Sequence, residues 1–356
     1  MIKREEIVFS ILKNDKFNSY ELFLKKNKKF LWYSSLEYKS FFESYLKCES
    51  IIFIAEKQNI IIGSLPLFLS NDSVYGKIVN SLPFYGSNGA FLIDESLTIE
   101  DSSYIASFFL SELNKFTLEN NIASITLITS PFDSFSNIFL EKNFKANYTD
   151  FRIGQITPLP DDDKDLLKVF DNPRPRNIRK AISSNIKVKQ KNRKEDFEFL
   201  MKTHQQNISS INGKFKDDIF FKMIQDGKLN NTYKLYIAEI DDNPIAALLL
   251  FYFNQTVEYY IPCTIESYRK LQPSSLLIYE AMRDAIKMKY KFWNWGGTWQ
   301  TQQGVYDFKK KWGAIDMKYQ YFTKIINKHL LKLTVSELEN QYPHFYTVPY
   351  HQLKND

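Results

Sequence analysis

The feature that most constrains this chain is an internal echo. Phe53-Ile54-Ala55-Glu56 is followed by the polar turn Lys57-Gln58-Asn59 and the mostly apolar run Ile60 to Leu69. Tyr236-Ile237-Ala238-Glu239 is followed by Ile240, the turn Asp241-Asp242-Asn243-Pro244 and the apolar run Ile245 to Phe253. Each pattern predicts a hairpin in which a short half-buried strand turns into a longer buried one. The copies lie 183 residues apart, from Ile54 to Ile237, close to half of the 356-residue chain. The segments downstream of the two hairpins also match. Ser102 to Asn121 has helical apolar spacing and precedes a buried strand, Ala123 to Thr129; Ser274 to Lys289 places Ile278, Ala281, Met282, Ala285 and Ile286 on one face before a strand at Phe292 to Trp295. The expected class is α/β, built from two copies of one unit.

The boundary is marked by breakers. Pro158, Pro160 and Asp161-Asp162-Asp163 close the first unit, and Pro173 and Pro175 bracket the next segment. This places a linker near 155–172 between an N-terminal unit, 1–155, and a C-terminal unit, 173–356. The tail after Asn340 is expected to pack as irregular structure.

Composition narrows the function. Thirty Phe and 22 Tyr exclude a disordered chain, and two cysteines, Cys48 and Cys263, exclude a disulfide framework or a Cys-rich zinc site. The start mixes charges, and the longest apolar block, Pro244 to Phe253, is about half a bilayer span; a cytoplasmic protein without a membrane partner is the expectation. A formal charge of +6 favours an anionic ligand without demanding nucleic acid.

Four segments have the residues for chemistry. Residues 174–194 hold nine basic side chains and no acidic one. The alternating Ile186-Lys187-Val188-Lys189 part reads as a lysine-protected edge strand, whereas Arg176 or Arg179 suits bidentate phosphate binding or a solvated helix face. Residues 264–275 join a strand to a helix that starts near Pro273, where Ser274 and Ser275 can cap free N–H groups and Arg269 and Lys270 add positive charge. The matching helix of the first copy starts through Glu100-Asp101, so a phosphate-bearing donor belongs to the second copy. The third segment is Trp293 to Thr298 with Tyr306, Phe308 and Lys309 behind it; strands ending in Gly-Gly admit a close backbone or ligand approach. The fourth, Ser81 to Ala90, offers Tyr85 and Asn88 to a sugar or base. There is no Gly-x-Ser-x-Gly, His-Glu-x-x-His or phosphate-loop motif, and the four histidines lack metal spacing; His204 is expected on a helix surface.

In this order, Ile178-Arg179-Lys180-Ala181, the paired strands, Tyr268 to Ser275, Trp295-Gly296-Gly297 and Phe308-Lys309-x-x-Trp312-Gly313 resemble the FemABX-like proteins across roughly residues 30–320. These are tandem units of the GNAT acyltransferase fold, each a mixed, mostly antiparallel sheet flanked by helices. The resemblance implies transfer of an acyl group to an amine. One branch takes an aminoacyl group from tRNA and extends a peptidoglycan peptide; another acylates amino sugars from an acyl-CoA. No charged heptad insertion resembling the coiled-coil arm of the peptidoglycan enzymes is present, which directs the expectation to coenzyme A thioesters and nucleotide-linked amino sugars of surface polysaccharide. The aminoacyl-tRNA transferase is the alternative, and a non-catalytic carbohydrate- or nucleotide-binding module is a third reading. Partners are then an acyl-CoA and a nucleotide sugar, with no stable nucleic acid and no metal. The GNAT glycine loop is not intact between Arg269 and Ser275. The expected roles are Arg269, Lys270, Ser274 and Ser275 on the donor phosphates and Arg176 and Arg179 on the acceptor diphosphate. Tyr85 and Asn88 meet the sugar in the N-terminal, acceptor-side unit. Lys309 or strand N–H groups stabilise the oxyanion, Glu258 rather than His204 is the base, and Tyr306 is the acid.

Overall fold

The computed structural model describes residues 4–83, 88–229, 232–299 and 301–353. The chain divides into two units, Met1–Arg152 with Lys318–Asp356, and Ile153–Met317.

Unit 1 runs through β1 (Ile7–Ile11), α1 (Phe17–Lys26), α2 (Leu36–Leu46), β2 (Glu49–Lys57), β3 (Ile60–Leu69), β4 (Lys77–Ser81), β5 (Leu92–Ile93), α3 (Ile99–Glu119), β6 (Ile122–Ile128) and α4 (Ser134–Asn143). Unit 2 takes up β7 (Tyr148–Pro158) from Ile153 onward, then α5 (Leu166–Val169), α6 (Arg174–Ser183), β8 (Lys187–Lys191), α7 (Lys194–Ser209), α8 (Asp218–Met223), β9 (Tyr233–Ile240), β10 (Asn243–Phe253), β11 (Thr256–Thr264), α9 (Pro273–Lys287), β12 (Phe292–Thr298) and α10 (Gln303–Lys310). The chain re-enters unit 1 within β13 (Ile315–Ile325), and α11 (Val335–Gln341) comes after it.

The sheets have one topology written twice. In unit 1, β1-β2-β3-β4 are antiparallel neighbours, β4 pairs parallel with β6, and β6 pairs antiparallel with β13. In unit 2, β8-β9-β10-β11 are antiparallel, β11 pairs parallel with β12, and β12 pairs antiparallel with β7. The echo in the sequence is therefore a duplication: β2–β3 and β9–β10 are the two hairpins. The tandem GNAT-like, mixed and mostly antiparallel architecture follows from it.

Two expectations about chain organisation change. Residues 155–172 are not a free linker. Through Pro158 they complete β7, and Leu166 in α5 and the nearby Phe170 are buried in the unit 2 core. The proline and aspartate run punctuates a strand end rather than a boundary between domains. Nor does the second unit extend to the terminus, because the chain leaves it at Met317. Composition marks where a strand stops but does not say which sheet the next one joins.

The tail is fixed to unit 1. Asn80 on β4 donates to Tyr346 O at 2.8 Å and accepts from Tyr346 N at 2.7 Å; Ser124 Oγ on β6 donates to Thr347 O at 2.8 Å, and the Tyr342 hydroxyl to Gly76 O at 2.8 Å. The unit 2 core is organised by α9, whose Leu276, Leu277, Ile278, Ala281, Met282, Ala285 and Ile286 are buried with Leu248, Leu250, Trp293 and Trp295. Each large aliphatic side chain so buried contributes about 1.5–3 kcal/mol. That fixes the helix start, which borders the site.

Candidate active site

The site begins with a defect in the sheet of unit 2. The parallel ladder between β11 and β12 spans three pairs, Thr256–Phe292, Val257–Trp293 and Glu258–Asn294. Just beyond, both strands become irregular. On β11 the register against β10 jumps from Tyr259–Leu250 to Ile261–Leu249, leaving Tyr260 as an inserted residue; on β12 the register against β7 shifts between Asn294 and Gly297, around Gly296 at φ +74°. Bulges bend a strand and interrupt pairing. A left-handed backbone at Gly296 is tolerated because no Cβ is present.

Where the ladder stops, unit 2 holds a cavity of about 450 Å³ lined by Tyr259, Pro262, Cys263 and Thr264 of β11, by Arg269, Gln272, Pro273 and Ser274 at the start of α9, by Asn207 of α7, and by Val305, Phe308 and Lys309 of α10. Asn207 holds the free end of β11: its Nδ2 donates to Thr264 O and its Oδ1 accepts from Thr264 N, each at 2.9 Å. Ser274 and Thr264 share a hydroxyl–hydroxyl bond of 2.5 Å, which ties the helix start to the strand end. Arg269 reaches the cavity while paired with Glu266 at 2.8 Å.

Lys309 supplies the charge. Its side chain is 6% exposed, and Nζ donates to Thr298 Oγ1 at 2.8 Å and to the carbonyls of Gly297 and Gly296 at 3.3 and 3.4 Å. Thr298 passes the bond on, donating to Gln155 Oε1 at 2.9 Å, and Gln155 Nε2 donates to Tyr306 O at 3.1 Å. Burial lowers the Lys309 ammonium from its ordinary range to about 8. At neutral pH it remains mostly protonated but gives up its proton over a range where an exposed lysine would not. Cys263, in the same cavity, is pushed up to about 12 by burial, so it presents no thiolate for a covalent acyl intermediate.

Behind Phe308 lies a cation that the sequence reading does not single out. Arg174 is 9% exposed, with its guanidinium carbon 4.4 Å from the Phe308 ring centre and 5.1 Å from that of Trp312; Nη2 donates to Phe308 O at 3.1 Å, and Nε has no hydrogen-bond partner among the described residues. Burial depresses its pKa, opposed by the nearby Tyr259. Helical spacing is the signal that could have found it: Arg174, Ile178 and Ala181 recur at four and three residues and share the buried face of α6. Arg176 and Arg179 fall off that face and are exposed, so the structure gives neither of them a place in the cavity.

The other expected residues divide between this cavity and places outside it. Lys309, Arg269 and Ser274 line the cavity; Lys270 is exposed outside it, and Ser275 is buried against Gln272. Glu258 is 2% exposed at the last rung of the ladder and accepts from Asn294 Nδ2 at 2.8 Å. The Tyr306 hydroxyl donates to Asp316 at 2.7 Å, and that bond raises its pKa. His204 is buried at 7% exposure, not on a helix surface as expected, because it packs on Phe221; burial and Lys216 lower it to about 4. Asn88 lies in a separate cavity of unit 1, and Tyr85 falls outside the described residues.

Charge separates the units as well. Of the chain's 47 Lys and Arg, 26 fall in residues 153–317, against 20 of its 41 Asp and Glu, so the formal +6 belongs to unit 2 and the remainder is balanced. Among the described residues no cluster of His, Cys, Asp or Glu is arranged to hold a metal, and no helix is long and apolar enough to cross a membrane.

Residues 226–334 match the FemAB family. Among solved structures, the crystal structure of FemX superposes with a TM-score of 0.71 at 12% identity, covering 90% of this chain and 98% of that one. A conserved protein of unknown function from Bacteroides thetaiotaomicron gives 0.58 at 10% identity, covering 90% and 100%. A tandem GNAT protein from the clavulanic acid biosynthesis pathway gives 0.54 at 8% identity, covering 90% and 98%. No curated protein matches by sequence. The FemAB match overturns the nucleotide-sugar expectation, and with it an acyl-CoA and a nucleotide-linked amino sugar as the partners. The missing heptad arm does not decide the branch, since an insertion can be absent without altering the site beneath it. The chain thus matches the FemAB family over residues 226–334, the β9-to-β13 segment, and its duplicated sheets share the fold of FemX and of a tandem GNAT protein.

Proposed function

We propose that the protein transfers an aminoacyl group from aminoacyl-tRNA to an amine of a peptidoglycan precursor peptide. The observation that carries the reading is the cavity of unit 2. It lies within the most basic part of the chain, its wall holds Lys309 and Arg269, and most of its lining belongs to the segment that matches the FemAB family.

The chemistry follows from the residues. The donor is an ester between an amino acid and a ribose hydroxyl. Its anionic carrier is drawn to Arg269 and to the start of α9, where the helix dipole and first-turn N–H groups favour negative charge. The neutral acceptor amine attacks the ester carbonyl carbon and the new C–N bond forms. Charge gathers on the carbonyl oxygen, and the C–O bond to the ribose then breaks, with the amine proton ending on the departing oxygen. Lys309 in its protonated form stabilises the oxygen charge, the type of contribution worth about 10²–10³ in rate. Thr298, Gln155 and the Gly296 and Gly297 carbonyls fix the ammonium in place. Glu258, buried at the end of the paired ladder and hydrogen-bonded to Asn294, is not among the residues lining the cavity, so the proton passes from the amine to the leaving oxygen without it.

The deciding assay supplies tRNA charged with labelled amino acids together with a peptidoglycan precursor pentapeptide, and in parallel a panel of acyl-CoAs with the same acceptor. Label should move to the peptide, and no free thiol should appear. Thiol release without transfer from tRNA would overturn the reading.

A further inference from the structure

Helix α6 carries positive charge that the fold does not use. Of the nine basic side chains in residues 174–194, Lys189 and Lys191 pair with Glu239, Arg193 with Asp196 and Lys194 with Glu198, while Arg174 is stacked on Phe308 and Trp312. Arg176, Arg179 and Lys180 on α6, like Lys187 on β8, are exposed and form no ion pair among the described residues. At about 100° per residue, Arg176, Arg179, Lys180 and Ser183 share one face of the helix, opposite the buried Arg174, Ile178 and Ala181. The arrangement works against the helix. Arg176 stands in a first turn that has no acidic residue, where the dipole is already positive, and it meets Arg179 and Lys180 at three and four residues, spacings at which like charges repel. A face serving solubility alone would mix signs, as Lys39 and Glu43 do on α2. An anion laid along α6 removes the repulsion.

Position says which anion. α6 packs against α9 and against the turn Glu266–Leu271, the segment that brings Arg269 to the cavity wall. Exposed Lys270 belongs to the same turn, and its acidic member, Glu266, is matched by Arg269. At the start of α6, Arg174 Nη2 donates to the carbonyl of Phe308, a residue of the cavity wall. Arg176 follows that anchor by two residues, and Lys180 lies about 9 Å along the axis from it. Cations set along one straight element suit a line of phosphates. The face itself holds Ser183 and no apolar side chain, which favours a nucleic-acid backbone over a lipid surface.

We infer that the exposed face of α6 docks the phosphate backbone of the RNA donor, with Arg176, Arg179 and Lys180 on the duplex stem while the aminoacylated end enters the unit 2 cavity. This rests on the donor reading above. The test uses the full chain and an uncharged RNA minihelix, an acceptor stem with its single-stranded 3′ end, followed by fluorescence anisotropy. Combining Arg176→Gln, Arg179→Gln and Lys180→Gln should weaken binding by about tenfold or more at low salt and lower the log–log salt slope by about two to three, with thermal unfolding still cooperative. Combining Lys187→Gln, Lys194→Gln and Lys222→Gln removes the same charge from β8, α7 and α8 and should weaken binding by less than about threefold. Should the α6 triple fail to fold, each of its single substitutions should still lower the slope by about one. Equal losses in the two triples would show that RNA senses net charge alone and would overturn the inference, as would unaltered binding by the α6 triple. So would phosphatidylglycerol vesicles that bind the unaltered protein and release the α6 triple while the minihelix does not. No minihelix binding by the unaltered protein would overturn the donor reading too, whereas minihelix binding indifferent to α6 overturns the inference alone.

Discussion

The two units share a strand order and part company at their parallel pair. In unit 1 the ladder between β4 and β6 runs through five pairs, from Lys77–Ile122 to Ser81–Leu127, and the tail is hydrogen-bonded to Asn80 and Ser124 on these strands. In unit 2 the equivalent ladder stops after three pairs and a cavity opens beyond it. One copy is balanced in charge and the other holds the whole +6. Duplication thus preserved the scaffold while the basic cavity wall, with Arg269 and Lys309, formed in unit 2 beyond its shorter ladder.

The largest effect expected from breaking this contrast is at Lys309. Lys309→Met should lower turnover by about 10²–10³, the scale of one lost oxyanion donor, while leaving thermal unfolding little changed; activity within threefold of the unaltered protein would remove Lys309 from the mechanism. Next is the donor's dependence on salt. Binding of charged tRNA to unit 2 should weaken steeply with ionic strength, with a log–log slope of several units as phosphate contacts release counterions; a flat response would show that the basic excess of unit 2 does not meet RNA.

Unit 1 should respond in stability rather than rate. Asn80→Ala removes both bonds to Tyr346 and should cost about 2 kcal/mol in urea unfolding, at about 1 kcal/mol per hydrogen bond; turnover per folded molecule should hold. A subtler shift sharpens the Lys309 assignment. With its pKa near 8, the rate should fall as pH rises through that value, and Thr298→Val, by removing an acceptor that favours the ammonium, should move this limb to lower pH. The smallest effect belongs to His204. Its folded pKa near 4 lies below the unfolded value of 6.5, so the unfolded chain takes up the proton first. Stability should be full above about pH 6.5 and decline toward pH 4, and His204→Gln should flatten that slope.

Much of the scaffold was legible from spacing. The two hairpins, the helices at α3 and α9 and the lysine-guarded edge β8 follow from apolar period and turn residues, signals that are local. The site was legible only where it coincided with a local motif: Arg269 and Ser274 through the helix start, and Lys309 through the family resemblance. Arg174 was readable in principle, since its helical register with Ile178 and Ala181 places it inward and Arg176 and Arg179 outward. Thr298 and Gln155 carried no such signal; they are 143 residues apart and meet because β7 and β12 are neighbours.

The sequence by itself determined the repeated order of hairpin, helix and strand and the basic stretch at residues 174–194, because both depend on residue order alone. Tertiary structure decided which sheet each closing strand joins, where the parallel ladder ends, and that Lys309 is buried deeply enough to titrate near 8. These depend on partners far away in the chain, whose desolvation and hydrogen bonding no local pattern records.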